Sequence, residues 1–380
     1  MPASTACMPP FTIGHTIYAF KEGGMERGLL NLVNYGHQDR FRHVIMCLTE
    51  AGEFSRQIKS DTCRVIEFHK KPGNDLSLPS QIAQAVRDHG ISLLHARGWP
   101  TLLETALAAR LAGIDATVYG FHGKTVNELA GIGVGRRLAQ AIAIRSYSAV
   151  ITLNSRMRHE LSREAFLSES SITVIPNGVD CQAFCPQGRK PELRSRYGLP
   201  QHRLIVGNIA RLDPVKNHGI ILRALSRVSA KLERPYFLLV GDGEERTALD
   251  NMINELGLRQ DVRMIGFSAQ VAEMLNCMDI YVQSSFYEGF SNTILEAMAC
   301  GLPVVSSDVG GSRDIVCENR EGLFFDPQDE GGLVQALRVL QCDAEKLASF
   351  GQAARDRAVR DFSIARMVSE YETMYSETIK

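Results

Sequence analysis

The sequence predicts two consecutive α/β domains, each an open parallel sheet with helices on both faces. Three observations carry that expectation. Short, continuous apolar runs rich in β-branched residues alternate with segments of helical period along nearly the whole chain. The alternation breaks once, over a polar stretch containing Pro and Gly, and then restarts. At 380 residues, finally, the chain is too long for one ordinary core and suits two of roughly 150–200 residues. Apolar strands separated by helices of about 10–15 residues mark parallel β-α units covered on both sides.

In chain order, "TIGHTIYAF" reads as the first strand. "MERGLLNLVNYG" follows as a helix with Leu29, Leu30 and Val33 on one face. "HVIMCLTE", "CRVIEFH", "ISLLHAR", "ATVYGFH", "AVITLN" and "ITVIPN" continue the strands, with helical pieces such as "LPSQIAQAVRDHG" and "TLLETALAARLAG" between them. The stretch from 175 to 192, "IPNGVDCQAFCPQGRKPE", reads as a linker. A second series then runs through "RLIVGNIA", "YFLLVGDG", "VRMIGF", "DIYVQSS", "LPVVSSD" and "EGLFF". These boundaries give domains over 1–185 and 186–360. The final segment, 361–380, is a helix with Met367, Tyr371 and Met374 on one stripe, expected to pack back on the first domain. Two such domains are expected to face a central cleft at the carboxyl ends of their strands.

Composition narrows the function. Apolar residues make up 44% and charged residues 22%, as in a globular protein. The formal net charge of −1 argues against a nucleic-acid partner. Up to Cys185, 19 Lys and Arg stand against 16 Asp and Glu; the remainder holds 23 against 27. Eight of the ten histidines also fall in the first part, so the two parts are expected to do different work. The N-terminal stretch lacks the pattern of a secretion signal, and no run approaches the length of a membrane span. Nine scattered cysteines form no metal-ligand spacing and read as reduced thiols of a cytosolic protein.

The densest chemistry lies in "YEGFSNTILEAMACGLPVVSSDVGG", residues 287–311. Ser291 is a good N-cap for a helix starting at Asn292. Ile294, Leu295 and Met298 form its buried stripe, Gly301 its cap and Pro303 its stop. The amides of Asn292, Thr293 and Ile294 would open as an anion site suited to phosphate. Glu288 lies in the loop just ahead, where it can reach a group beside the phosphate. Glu296 leans back along the helix toward its start, and a carboxylate accepts two hydroxyl hydrogens at once, which suits a ribose diol. The simpler alternative is that both glutamates only complement the helix dipole, worth about 0.3–1 kcal/mol each.

This segment resembles the E-x7-E signature of the retaining glycosyltransferases of family four, which have the GT-B fold of two Rossmann-like domains. "GNIARLDPVKNH" resembles the family's second mark, "GGMERGLLNLVN" its N-terminal glycine loop and "VIPNGVD" its interdomain linker. The likeness covers nearly the whole chain in the right order. It implies transfer of a sugar from a nucleotide-diphosphate donor to a hydroxyl with retained configuration. Arg211 and Lys216 also have a reason of their own: the diphosphate that leaves carries negative charge, and fixed cations can stabilise it where no Asp-x-Asp pair offers a metal site. Glu288 completes that set. The resemblance places His122 against the donor sugar. It assigns donor contacts to Gly23 and Gly24, to Gly289 and Phe290, to Ser291, Asn292, Thr293 and Glu296, and to Phe267 at the end of "VRMIGF". "GDGE", Gly241–Glu244, is expected to line the nucleobase pocket.

No cofactor and no metal are expected. The expected partners are a nucleotide-sugar, with UDP the carrier that the resemblance implies, and a glycan, lipid-linked or small-molecule acceptor. The similarity is to bacterial sugar transferases of exopolysaccharide assembly, and the expected place is the cytoplasm, at or near the inner face of the membrane. Lys124, Arg136, Arg137 and Arg145 beside apolar residues would allow weak peripheral membrane contact, or form a solvated helix face. Two alternatives remain at this point: a non-hydrolysing sugar-nucleotide epimerase of the same fold, and a catalytically silent sugar-nucleotide-binding module.

Overall fold

The structure, a computed structural model, describes residues 10–21, 23–73, 75–123, 133–188, 190–228 and 233–380. It divides into two compact units. One runs to Asn177 and takes back Ile364–Lys380; the other is Gly178–Ser363. Residues 178–185 go with the second unit because its own groups hold them. Val179 N–H donates to the Phe362 carbonyl at 2.8 Å, and Arg355 donates to the carbonyls of Cys181 and Phe184 at 2.9 and 2.8 Å.

All seven strands read from the first part of the sequence form. They are β1 (Phe11–Ile17), β2 (Phe41–Cys47), β3 (Arg64–Glu67), β4 (Leu93–Arg97), β5 (Thr117–Phe121), β6 (Ala149–Thr152) and β7 (Ile172–Val174). They pair in parallel in the order β3-β2-β1-β4-β5-β6-β7. The helices of this part are α1 (Gly24–Tyr35), α2 (Leu78–Asp88), α3 (Leu102–Ala112), α4 (Val134–Ile144) and α5 (Ser155–Ala165). Alternation along the strands divides their side chains between two faces. Val44, Met46 and Leu94 pack with Leu78, Ile82 and Val86 of α2 and Ala108 of α3. Ile13, Phe41, Leu93 and Val118 pack with Met367, Val368, Tyr371 and Tyr375 of the C-terminal helix.

The second unit carries β8 (Ile205–Ile209), β9 (Tyr236–Val240), β10 (Val262–Gly266), β11 (Ile280–Gln283), β12 (Val304–Ser307) and β13 (Gly322–Phe325), again all parallel, in the order β10-β9-β8-β11-β12-β13. Its helices are α6 (Lys190–Arg196), α7 (His218–Ser226), α8 (Arg246–Glu255), α9 (Val271–Asn276), α10 (Asn292–Ala299), α11 (Ser312–Ile315), α12 (Glu330–Gln341) and α13 (Ala344–Asp361); α14 (Ile364–Ile379) is the helix of the first unit. Both sheets reverse strand order once, between β1 and β4 and between β8 and β11. In open α/β sheets such a switch point, at the carboxyl ends of the strands, is where ligands bind.

Candidate active site

The switch point of the second sheet gathers the motif residues. The loop after β8 carries Arg211 and Lys216, and the loop after β11 carries Glu288. Two hydrogen bonds tie these loops together: Phe286 N–H to the Val215 carbonyl and Ser284 Oγ to the Lys216 carbonyl, each at 2.8 Å. Lys216 Nζ consequently meets Glu288 Oε2 at 2.7 Å, with side chains 23% and 17% exposed. Gln283 Nε2 approaches the same oxygen at 3.4 Å. From the motifs these two residues are expected to have different partners, phosphate and sugar; the fold also pairs them with each other.

Arg211 stands apart from that pair. Its Nε donates to Asp213 Oδ2 at 2.7 Å, and its side chain is 78% exposed. The loop beneath it is shaped by Gly241–Glu244: Leu212 N–H donates to the Asp242 carbonyl at 2.9 Å, and Glu245 N–H to that of Leu212 at 3.0 Å. A Cβ on Gly241 or Gly243 would collide with the carbonyl of Ala210 or Leu212. These glycines therefore act first on the Arg211 loop. Phe267, just past β10, is largely exposed. Just beyond Lys216, His218 Nε2 donates to Asn208 Oδ1 at 3.0 Å, and burial with the Lys216 charge pushes its pKa down to about 4.

Helix α10 forms where the sequence places it, with Ser291 as N-cap and Ile294, Leu295 and Met298 buried. The cap corrects one expectation. Ile294 N–H donates to Ser291 Oγ at 3.3 Å, so it leaves the proposed anion-binding set, which reduces to Asn292 and Thr293. The Thr293 hydroxyl is engaged as well, with Tyr281 OH at 2.9 Å and Ser291 Oγ at 3.2 Å. The C-cap falls one residue earlier than expected, on Cys300, with Gly301 beyond it in the left-handed region. Glu296 is half-buried in the second turn of the helix. Phe290 is buried, its ring edge-on to Phe362 with centroids 6.4 Å apart, so it anchors the loop that carries Gly289 and Glu288. Gly310 has φ +54°, and a Cβ there would strike the Glu288 carbonyl. The "VGG" after β12 is thus part of the support of Glu288.

Tyr281 and Gln283 were not singled out in the sequence, although both sit in an apolar strand at alternate positions and so share a face. That pattern of polar residues two apart was the available signal. Burial raises the Tyr281 pKa, with the charges of Glu296 and Glu288 adding to the effect, so its hydroxyl stays protonated.

In the first unit, Gly23 caps α1 and Gly24 opens it. Gly23 has extended backbone, φ −168°, that any residue adopts; the space beside it is filled by the Glu26 carboxylate. His122 follows β5 directly, and burial with the charge of Arg97 pushes its pKa down to about 3. Lys124 lies outside the described residues. Arg136 and Arg137 on α4 and Arg145 just after it are exposed, beside exposed Leu138 and Ile142. The neighbouring helix α3 exposes Leu103, Leu107 and Leu111 along one stripe. Among the described residues no helix is long and apolar enough to cross a membrane.

Comparison with known proteins agrees with this layout. The family profile described as Glycosyltransferase Family 4 matches residues 22–183, and that of Glycosyl transferases group 1 matches residues 189–357. The Escherichia coli UDP-Gal:alpha-D-GlcNAc-diphosphoundecaprenol alpha-1,3-galactosyltransferase is 25% identical over 323 residues, 83% of this chain and 82% of its own. The Bacillus anthracis N-acetyl-alpha-D-glucosaminyl L-malate synthase is 26% identical over 322 residues, 81% of each chain. The crystal structure of Anabaena HepE in complex with UDP and glucose superposes with a TM-score of 0.83 at 23% identity, covering 97% of this chain and 100% of that one. Nothing in these likenesses favours an epimerase. The chain is a glycosyltransferase of family four, with the GT-B fold.

Proposed function

We propose that the chain moves a sugar from a UDP-sugar to an acceptor hydroxyl with retention of anomeric configuration and without a metal ion. The observation that carries this reading is the meeting of Lys216 and Glu288 at the switch point of the second sheet, beside the start of α10. Lys216, Arg211 and the amides of Asn292 and Thr293 stabilise the departing diphosphate. Glu296 holds the ribose diol, and Phe267 offers its exposed ring to the base. Glu288 accepts hydrogen bonds from sugar hydroxyls and orients the anomeric carbon. The bond from that carbon to the diphosphate oxygen breaks as the acceptor oxygen bonds on the same face, and a phosphate oxygen takes the acceptor's proton. His122 contacts the transferred sugar.

The UDP donor is supported by the name of the E. coli relative and by the ligand of the HepE structure. A lipid-linked or glycan acceptor in polysaccharide assembly at the cytoplasmic face of a membrane fits the first of these names, and a small-molecule acceptor the malate synthase. Weak membrane contact has a surface to use. The exposed Leu103, Leu107, Leu111, Leu138 and Ile142 are accompanied by Arg136 and Arg137, suited to an anionic lipid surface. The test of the donor reading is a thermal-shift panel of UDP-, GDP- and ADP-sugars. A UDP-sugar is expected to give the largest stabilisation; no response to any UDP-sugar, with a response to another nucleotide, would overturn it.

A further inference from the structure

The first unit holds a polar layer inside an apolar sheet face. Along β1 that face carries Ile13, His15 and Ile17; β2 adds Phe41, His43 and Ile45, and β4 adds Leu93, His95 and Arg97. The three histidines and Arg97 are each at most 3% exposed. Among the described residues no carboxylate lies within ion-pair distance of Arg97. Its Nε instead points at His15 Nδ1, 3.4 Å away, its Nη2 at His95 Nδ1, 3.5 Å away, and its guanidinium sits 5.4 Å from the centre of the Tyr371 ring.

These contacts are long, but their direction is settled by chemistry. A guanidinium has five donors, no acceptor and a proton it does not give up. Both ring nitrogens that face it must be acceptors. Burial and the Arg97 charge hold both rings neutral, so each carries a single proton, on the other nitrogen. His15 therefore donates from Nε2 to His43 Nδ1 at 2.9 Å. His95 accepts the Tyr375 hydroxyl at Nδ1, 2.8 Å away, and bears its proton on Nε2.

That Nε2–H faces β5. In the register Arg97 pairs with Gly120, and a Cβ on Gly120 would stand 2.9 Å from His95 Nε2 and 2.9 Å from His122 Nε2. The two nitrogens are thus within twice that distance of each other over a residue with no side chain. Among the described residues neither has a protein partner, nor has His122 Nδ1. An unpaired buried donor is costly, and His122 Nε2 stands near enough for one water to bridge the two nitrogens.

We propose that Arg97 and His95 are positioning residues that fix the tautomer of His122. His95 donates its Nε2–H to the lone pair of His122 Nε2 through one bridging water. His122 then carries its own proton on Nδ1 and presents Nδ1–H to an oxygen of the sugar. The functional half of this statement rests on the reading that His122 contacts the transferred sugar; the tautomer itself does not.

Long-range ¹⁵N–¹H correlation of the imidazole rings in the labelled full chain decides it, with His122 assigned by its loss in His122→Gln. His122 protonated on Nδ1 and His95 on Nε2 is the expected result; wild-type His122 protonated on Nε2 overturns the proposal whatever the activity. His95→Gln, which keeps an N–H near that place, should retain the His122 pattern and hydrolysis of UDP-glucose or UDP-galactose within about threefold. His95→Leu should lose the pattern and lower kcat about tenfold at unchanged donor KM. A folded His95→Leu protein with an unaltered His122 spectrum also overturns it. If His122→Ala leaves turnover intact while wild-type His122 carries its proton on Nδ1, the relay stands and the sugar contact falls.

Discussion

The contact between Lys216 and Glu288 can be tested on its own by a double-mutant cycle of Lys216→Ala, Glu288→Ala and the pair. At 2.7 Å, opposite unit charges attract by about 6 kcal/mol if the effective dielectric constant is about 20. Both side chains are only partly exposed, so desolvation and lost rotamer freedom offset most of that. Coupled residues in contact usually retain about 0.5–3 kcal/mol, and with Gln283 as a weak third partner we expect about 1–2 kcal/mol in urea denaturation. Ligand binding should split the two residues. Lys216→Ala should weaken UDP by about 1.5–3 kcal/mol, the range of a lost charged hydrogen bond, because the diphosphate is its partner. Glu288→Gln should leave UDP nearly unchanged and reduce only the extra affinity a UDP-sugar has over UDP. A stability coupling below about 0.3 kcal/mol, or equal losses for UDP in both single variants, would show that the two residues neither pair nor divide the donor between them.

Glu296→Ala should weaken UDP by about 2–3 kcal/mol in calorimetry; unchanged affinity would remove Glu296 from the ribose site. Gly310→Ala is expected to cost about 1–3 kcal/mol of stability and to lower donor affinity, since φ +54° and the Glu288 carbonyl both exclude a Cβ; a neutral variant with full binding would contradict that support. His15, His43 and His95 have folded pKa values below 6.5, His43 at about 3, so below pH 6.5 the unfolded chain takes up protons that the folded chain does not. Stability should therefore rise with pH up to 6.5 and fall as pH drops through that window. By pH 5 the loss is about 2 kcal/mol for His43 alone, and His15 and His95 add to it in the same direction. A urea midpoint that stays flat from pH 7 to pH 5 would contradict their burial as neutral rings.

Strand identity was legible because each of the thirteen strands among the described residues is a local run of β-branched and apolar residues bounded by turn residues. The same holds for the start of α10, where Ser291 is a short-range signal. Contacts that depend on register between distant strands were not legible. Nothing local says that Lys216 will meet Glu288, because that follows from β8 and β11 being neighbours although two strands intervene in sequence. The row of His43, His15 and His95 is likewise invisible in one strand and follows only from the parallel register of three. The freedom of the Ile294 amide was misread for a different reason: the N-cap that starts the helix uses up the donor expected to bind an anion.

Retaining transfer that needs no metal ion can be read out without knowing the acceptor. The protein should slowly hydrolyse a UDP-hexose in excess EDTA, and ¹H NMR can record the anomer released before mutarotation. The α-anomer is expected to appear first, at a rate insensitive to EDTA and strongly reduced by Lys216→Ala. First appearance of the β-anomer, or turnover abolished by EDTA and restored by magnesium, would contradict it.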